Sequence, residues 1–331
     1  MVIRLEFVLG NDDFGKRLAK DIGCEYREFR EEYYVDGEPC PRIFADYEEL
    51  IDRSILVATR LRSPMTPLGI LSYLHTLNRI TNNITDKLLY SARSVDVLLP
   101  YFVLSRQDHN PRIDKNEIVR TRDKGKDVGY RNVLKDLEAR DVRRILTFSP
   151  HFKRSGEGSQ VHREIGRGIE VYRMPGVNAL ARYFKGRVNS ETIVINPDMA
   201  AGKLAVELAR QIGVRFRYGL EKKRITDRDV ETKGRLDAED NDVIVVDDIA
   251  SSGSTLVGAI NSIDNAGTVY LAVVHPVLPE MSTPDKGLGL IKRLLDEKKI
   301  GDFVATDTID SEFSKASIIQ DVANYYRNHK T

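Results

Sequence analysis

The sequence predicts an α/β fold of mainly parallel sheets flanked by helices, and three observations carry that prediction. Short runs of Val, Ile and Leu are apolar at consecutive positions, the pattern of strands buried on both faces. Amphipathic stretches with helical spacing separate these runs. The runs end in polar or acidic residues, and open α/β sheets bind their ligands beyond the carboxyl ends of strands.

Taken in order, "IRLEFVL" (residues 3–9) reads as the first strand. "VDVLLPYFVL" (95–104) and "RRILTF" (143–148) follow, ending near Arg106–Asp108 and His151. "TIVIN" (192–196) ends at Asp198, "DVIVV" (242–246) at Asp247 and Asp248, and "VYLAVV" (269–274) comes last. The two pairs of strands with polar tips suggest a duplication whose halves could pool those tips in one cleft. Residues 202–213, "GKLAVELARQIG", place Leu204, Val206, Leu208 and Ile212 at helix-compatible spacings. Three polar stretches break the rhythm, at 106–144, 152–172 and 219–242, and each reads as a solvated loop or hairpin.

The composition excludes several function classes. With 51 basic and 50 acidic residues among 331, the chain lacks the basic excess of a dedicated nucleic-acid binder. No apolar run approaches the roughly 18 residues of a membrane span. "MVIRLEFVLG", interrupted by Arg4 and Glu6, is a strand rather than a signal peptide. Cys24 and Cys40 have no metal-ligand spacing and read as two buried thiols of a cytoplasmic protein.

The chemistry concentrates in "VIVVDDIASSGSTLVGAI", residues 243–260. A β-branched strand ends in two adjacent carboxylates, then five small residues precede a helix in which Leu256, Ile260 and Ile263 share a face. Carboxylates accept hydrogen bonds from the vicinal hydroxyls of a ribose. Backbone N–H groups at a helix start favour an anion, and Gly253 admits close approach. The stretch reads as a ribose-phosphate cradle: Asp247 and Asp248 for the sugar, Ser251, Ser252, Gly253, Ser254 and Thr255 for the 5-phosphate. Neither G-x-x-x-x-G-K-[ST] nor G-x-G-x-x-G occurs.

"VVDDIASSGSTL" resembles the phosphoribosyl-pyrophosphate motif of type I phosphoribosyltransferases and of phosphoribosyl-pyrophosphate synthetases. "YYVDGEPCPRI", "LPYFVLSRQD", "ILTFSPHF", "INPDMAAGKLA", "LEKKR", "VVHPVL" and "ATDTIDSEFSKASI" resemble further segments of the synthetases, in order along nearly the whole chain. The sequence is thus similar to the ribose-phosphate pyrophosphokinase family, as a divergent, archaeal-like member. That resemblance implies two tandem phosphoribosyltransferase type I-like domains, each a mainly parallel sheet flanked by helices. One would span residues 1–172, with 308–331 packing back on it; the other, 173–307, would carry the ribose-phosphate motif.

The resemblance also implies transfer of the pyrophosphoryl group of ATP to the 1-hydroxyl of ribose 5-phosphate, with Mg²⁺, in a cytoplasmic homodimer or hexamer. By matching position, Tyr34, Asp36, Gly37 and Glu38 would contact adenine at a subunit interface, and Arg106, Gln107 and Asp108 would hold ATP. His151 and Asp198 would serve the metal, Asp198 also lining the sugar site with Asp247. Lys222, Arg224 and His151 would be catalytic. The two cations stand at i and i+2, which an extended segment points the same way. Phosphoryl-type transfer relies on such charge neutralisation and positioning. The chain departs from the family pattern after Arg-Gln-Asp, where "HN" stands, and after the metal His, where "FKRSGEGSQ" stands. Ser149 and Ser251 replace acidic or amide residues common in the family. Two alternatives remain on sequence grounds: a non-catalytic regulatory subunit, and a phosphoribosyltransferase.

Overall fold

A computed structural model describes residues 4–106, 129–151, 160–162, 168–197, 201–217, 221–224, 230–233, 235–280 and 285–328. The chain divides into two compact units: Met1–Arg60, Ile70–Met174 and Ile319–Thr331 form the first, Leu61–Gly69 and Pro175–Ile318 the second.

The first unit contains β1 (Phe7–Gly10), α1 (Asp13–Ile22), β2 (Glu25–Arg30), β3 (Arg42–Phe44), α2 (Tyr47–Leu50) and β4 (Ser54–Ala58). It continues with α3 (Pro67–Thr85, joining the unit at Ile70), β5 (Ser94–Leu98), α4 (Gly129–Glu138), β6 (Val142–Phe148), β7 (Gln160–His162) and β8 (Ile169–Met174). Its sheet runs β3-β2-β1-β4-β5-β6-β8-β7. The strands are parallel except the edges β3 and β7, which pair antiparallel with β2 and β8. Every residue of β1 and β4 is buried, which is why their sequences are apolar or small throughout rather than alternating.

The second unit contains α5 (Val177–Phe184), β9 (Ile193–Ile195), α6 (Gly202–Ile212), β10 (Arg215–Arg217), β11 (Glu221–Arg224), β12 (Val230–Lys233) and β13 (Leu236–Asp237). Then come β14 (Val243–Ala250), α7 (Ser254–Ile260), β15 (Ile263–Asp264), β16 (Val269–Pro276), α8 (Gly287–Asp296), β17 (Asp302–Thr306) and β18 (Ser314–Ala316). Its main sheet, β10-β9-β14-β16-β17-β18, is parallel throughout. β11 and β12 form a separate antiparallel ribbon, and β13 pairs with β15. One face of the main sheet packs Val243, Val245, Leu271, Val273 and Phe303 against Leu256 of α7 and Leu290, Ile291 and Leu294 of α8. Each such side chain contributes about 1.5–3 kcal/mol through burial.

The last helix, α9 (Ile319–Asn328), returns to the first unit and packs on α1. The buried Asp96 of β5 accepts from the Tyr326 hydroxyl at 3.0 Å and from Arg143 at 3.1 Å, fastening the helix to the sheet.

Several sequence expectations need correction. The strand read over 95–104 stops at Leu98; Pro100 has no N–H for the ladder, and residues 99–105 instead form a mostly buried turn. The strand read over 242–246 does not stop at the acids but continues to Ala250, because β16 goes on pairing with it through Ile249–His275 and Ala250–Pro276. α6 buries Ala205, Leu208 and Ala209, whereas Val206 is exposed. The helix after the small-residue loop ends at Ile260, and Ile263 belongs to β15. Cys24 and Cys40 are unpaired and half-buried rather than buried; burial still pushes the Cys24 thiol up to about 11.

Candidate functional site

β9 and β14 lie side by side, yet the chain leaves them in opposite directions, toward β10 on one side and β16 on the other. Such a reversal of strand order opens a crevice at the carboxyl edge, because the two following connections diverge. Here the crevice deepens because β9 pairs with β14 only up to Ile195–Val245. From Val246 onward, among the described residues, β14 pairs only with β16. The acidic pair therefore sits on the part of the strand beyond its pairing with β9.

Asp247 is 8% exposed, and its Oδ1 accepts the N–H of Asp248 at 2.9 Å, an arrangement that orients the carboxylate. Asp248 is half-buried. Beyond Ala250 the chain turns through Ser251–Gly253 into α7. Gly253 has φ 82°, the left-handed region, and a Cβ there would lie 2.5 Å from Leu290 Cδ2. Glycine is thus required twice, for conformation and for space. No side chain caps α7. Among the described residues the N–H groups of Ser251, Ser252, Gly253, Ser254 and Thr255 donate to no protein acceptor. Five consecutive amides without a protein acceptor among the described residues, beside small hydroxyl side chains, suit an anion. The helix itself is only seven residues, so the loop amides rather than a long macrodipole supply the attraction.

Asp198 lies outside the described residues. So do Gln107 and Asp108. Lys222 and Arg224 stand two positions apart in β11, whose partner strand pairs them with Thr232 and Val230.

In the first unit β5 and β6 are neighbours, so the segments that follow them emerge together. Phe148 N–H donates to Pro100 O at 3.1 Å and Ser149 N–H to Met174 O at 2.9 Å. These bonds bring the turn bearing Arg106 and the segment bearing His151 to the same end of this sheet, both side chains exposed. Tyr34, Asp36, Gly37 and Glu38 form a separate hairpin between β2 and β3. Tyr34 N–H donates to Glu38 O, Gly37 N–H to Tyr34 O, both at 2.9 Å, and Gly37 has φ 86°. Glu38 N–H donates to Asp36 Oδ1 at 3.1 Å. Tyr34 is 60% exposed and Val35 fully so.

The first unit has its own reversal of strand order, between β1 and β4, which sequence reasoning did not single out. There Asp12 caps α1 by accepting Gly15 N–H at 3.1 Å. Arg60, from the end of β4, donates through Nε at 3.0 Å and Nη2 at 2.6 Å to Asp12 Oδ2, and lies 4.4 Å over the Phe14 ring. The two side chains are 7% and 15% exposed. Tyr26 fills the space beside Gly10, its hydroxyl donating to Gly10 O at 3.0 Å; burial and the nearby Glu28, Asp12 and Asp13 push that phenol up to about 12. The protein's own side chains occupy this crevice.

A metal implied by the sequence resemblance needs ligands. Among the described residues no three His, Cys, Asp or Glu side chains converge as a ready cage. Mg²⁺ keeps several waters and takes one or two carboxylates from protein, with the rest from substrate phosphates. A mostly buried carboxylate such as Asp247 fits that donor chemistry.

Known proteins complete the picture. Residues 171–294 match the model of the phosphoribosyl transferase domain family. A ribose-phosphate pyrophosphokinase of Methanopyrus kandleri is 28% identical over 95% of this chain and 95% of its own length. Ribose-phosphate pyrophosphokinase 1 of Streptococcus pneumoniae is 26% identical over 88% of this chain and 84% of its own. The crystal structure of phosphoribosylpyrophosphate synthetase from Mycobacterium smegmatis shares the fold, with TM-score 0.73 over 98% of each chain at 20% identity. Similarity to ribose-phosphate pyrophosphokinases thus runs the length of the chain, and its fold, with the acid pair and small-residue loop at the end of β14, is shared with a phosphoribosylpyrophosphate synthetase structure.

Proposed function

We propose that the protein is a ribose-phosphate diphosphokinase, converting ATP and ribose 5-phosphate to AMP and phosphoribosyl pyrophosphate. The observation that carries this reading is the row of five unpaired amides, Ser251–Thr255, next to the buried carboxylate of Asp247. The amides hold the 5-phosphate, while Asp247 and Asp248 accept hydrogen bonds from the ribose hydroxyls. Fixing the sugar at both ends orients its 1-hydroxyl for in-line attack.

In the reaction the 1-hydroxyl oxygen bonds to the β-phosphorus of ATP. The bond from that phosphorus to the bridging oxygen breaks, AMP leaves with that oxygen, and the hydroxyl proton passes to solvent. Lys222 and Arg224, on the ribbon β11–β12, neutralise charge growing on the transferring group. Arg106, Gln107 and Asp108 bind the triphosphate. The exposed hairpin carrying Tyr34, Asp36, Gly37 and Glu38 contacts adenine, and its outward-facing Tyr34 and Val35 suit a site shared with a neighbouring copy in a homo-oligomer. Mg²⁺, held by His151 and Asp198 together with substrate oxygens, would supply further charge neutralisation when bound.

The phosphoribosyl transferase match alone would also fit an enzyme that consumes phosphoribosyl pyrophosphate. Similarity to pyrophosphokinases over 95% of the chain favours synthesis. The test is AMP formation from ATP that depends on both ribose 5-phosphate and Mg²⁺. Well-folded protein forming no AMP under those conditions would overturn the proposal.

A further inference from the structure

We propose that α8, which carries none of the substrate-binding residues, positions the sugar-phosphate loop, with Leu290 as its positioning residue. This rests on the reading of residues 251–255 as that loop.

The loop's amides make no bonds within the protein among the described residues, so they do not hold its shape. Beyond the Ser252–Ser254 hydroxyl contact and the Val257 N–H bond to Gly253 O, three outside attachments bear on its shape. Leu278 N–H donates to Ala250 O at 3.0 Å, pinning the strand end from which the loop departs. Gly287, the first residue of α8, donates its N–H to Ser252 O at 3.0 Å. Gly287 has φ 59°, a left-handed backbone that glycine adopts without cost at the junction with the helix. One turn along, Leu290 presses its Cδ2 against the bare α-carbon of Gly253, so closely that a Cβ there would approach to 2.5 Å. Leu290 is itself 2% exposed and belongs to the core cluster that also holds Ala250, Leu256, Leu278 and Ile291. Ser252 and Gly253 are thus held from beneath by one bond and one side chain, both from α8. Gly253 has no side chain with which to fill a gap, so removing the Leu290 branch frees the loop directly under its phosphate-facing amides.

A loose loop must be ordered by the phosphate, which weakens sugar binding more than it slows transfer. Leu290→Ala is therefore expected to raise KM for ribose 5-phosphate roughly tenfold, within the range small misplacements produce. Its kcat at saturating sugar and its KM for ATP should stay within about twofold of wild type. Leu290→Met, of similar volume, should restore most of the affinity. Leu294→Ala is the control: Leu294 lies one turn farther along α8 in the same core, and no atom of it lies within 4 Å of where a Gly253 Cβ would stand. It should lower stability comparably and leave KM unchanged. Amide hydrogen exchange provides a readout independent of turnover: residues 251–257 should exchange faster in Leu290→Ala and not in Leu294→Ala. Equal KM values, or equal exchange, in the two alanine variants would overturn the proposal. If the wild type forms no AMP with ribose 5-phosphate, the functional reading falls, and the exchange comparison alone decides the role of α8.

Discussion

The two crevices at which strand order reverses differ in what fills them. Between β1 and β4, Arg60, Asp12 and Tyr26 close the space with a largely buried ion pair and a phenol, and a side chain caps the following helix. Between β9 and β14, the corresponding place holds small residues, an uncapped helix and unpaired amides. The same topology thus supports a joint filled by side chains in one unit and, in the other, the loop proposed to hold an anion. Local side chains decide which: an N-capping Asp with an Arg to neutralise it satisfies the polar groups internally, whereas Ser-Ser-Gly-Ser-Thr leaves them to a ligand.

That comparison is open to breaking by substitution. The largest effect is expected from Asp247→Ala, which should lower kcat/KM for ribose 5-phosphate by about 10²–10³-fold while leaving the fold intact by circular dichroism. The matching change in the first unit, Asp12→Ala, should leave the sugar parameters untouched. Next, Arg60→Ala should cost about 3 kcal/mol of stability in urea unfolding, because it leaves Asp12 mostly buried without its cation. An activity loss with unchanged stability would instead make the first crevice a ligand site. Gly253→Ala comes third, at about 1–2 kcal/mol from the left-handed backbone and the collision with Leu290, read as raised KM for the sugar.

The smallest effect concerns Glu6, at the amino end of the first sheet. Burial alone would raise its carboxyl, but the Ser54 N–H, Arg53 and Arg93 outweigh that and hold it below the usual carboxylate range. A depressed folded-state value contributes stability above the unfolded value of roughly 4.3 that is lost as pH falls through the folded one. Glu6→Gln should therefore flatten the acid limb of stability below about pH 4.5, by under 1 kcal/mol given its partly exposed partners. An unchanged acid limb in that variant would show the network contributes nothing.

How much of this was legible beforehand follows from sequence distance. β6, β9 and the start of β14 show as apolar runs because strands buried on both faces advertise themselves locally. The acid pair and its small-residue loop are contiguous, so they too could be read. The continuation of β14 past Asp247 could not, since charged residues interrupt the apolar pattern and only pairing with β16 sustains the strand. The plug of Asp12 and Arg60 joins residues 48 apart, and neither is unusual in its own neighbourhood. The support of Gly253 by Leu290 is equally silent, for a helix leucine looks like any core residue until its neighbour is known. Pro100 did carry a signal: a proline inside an apolar run marks the end of a central strand.

The most direct test is a ribose 5-phosphate titration of isotopically labelled protein followed through its amide resonances. The N–H signals of Ser251, Ser252, Gly253, Ser254 and Thr255 should shift downfield and saturate together, while those of Asn11, Asp12 and Asp13 stay in place. Shifts confined to the first unit's crevice, or none at residues 251–255 at saturating sugar, would contradict the account.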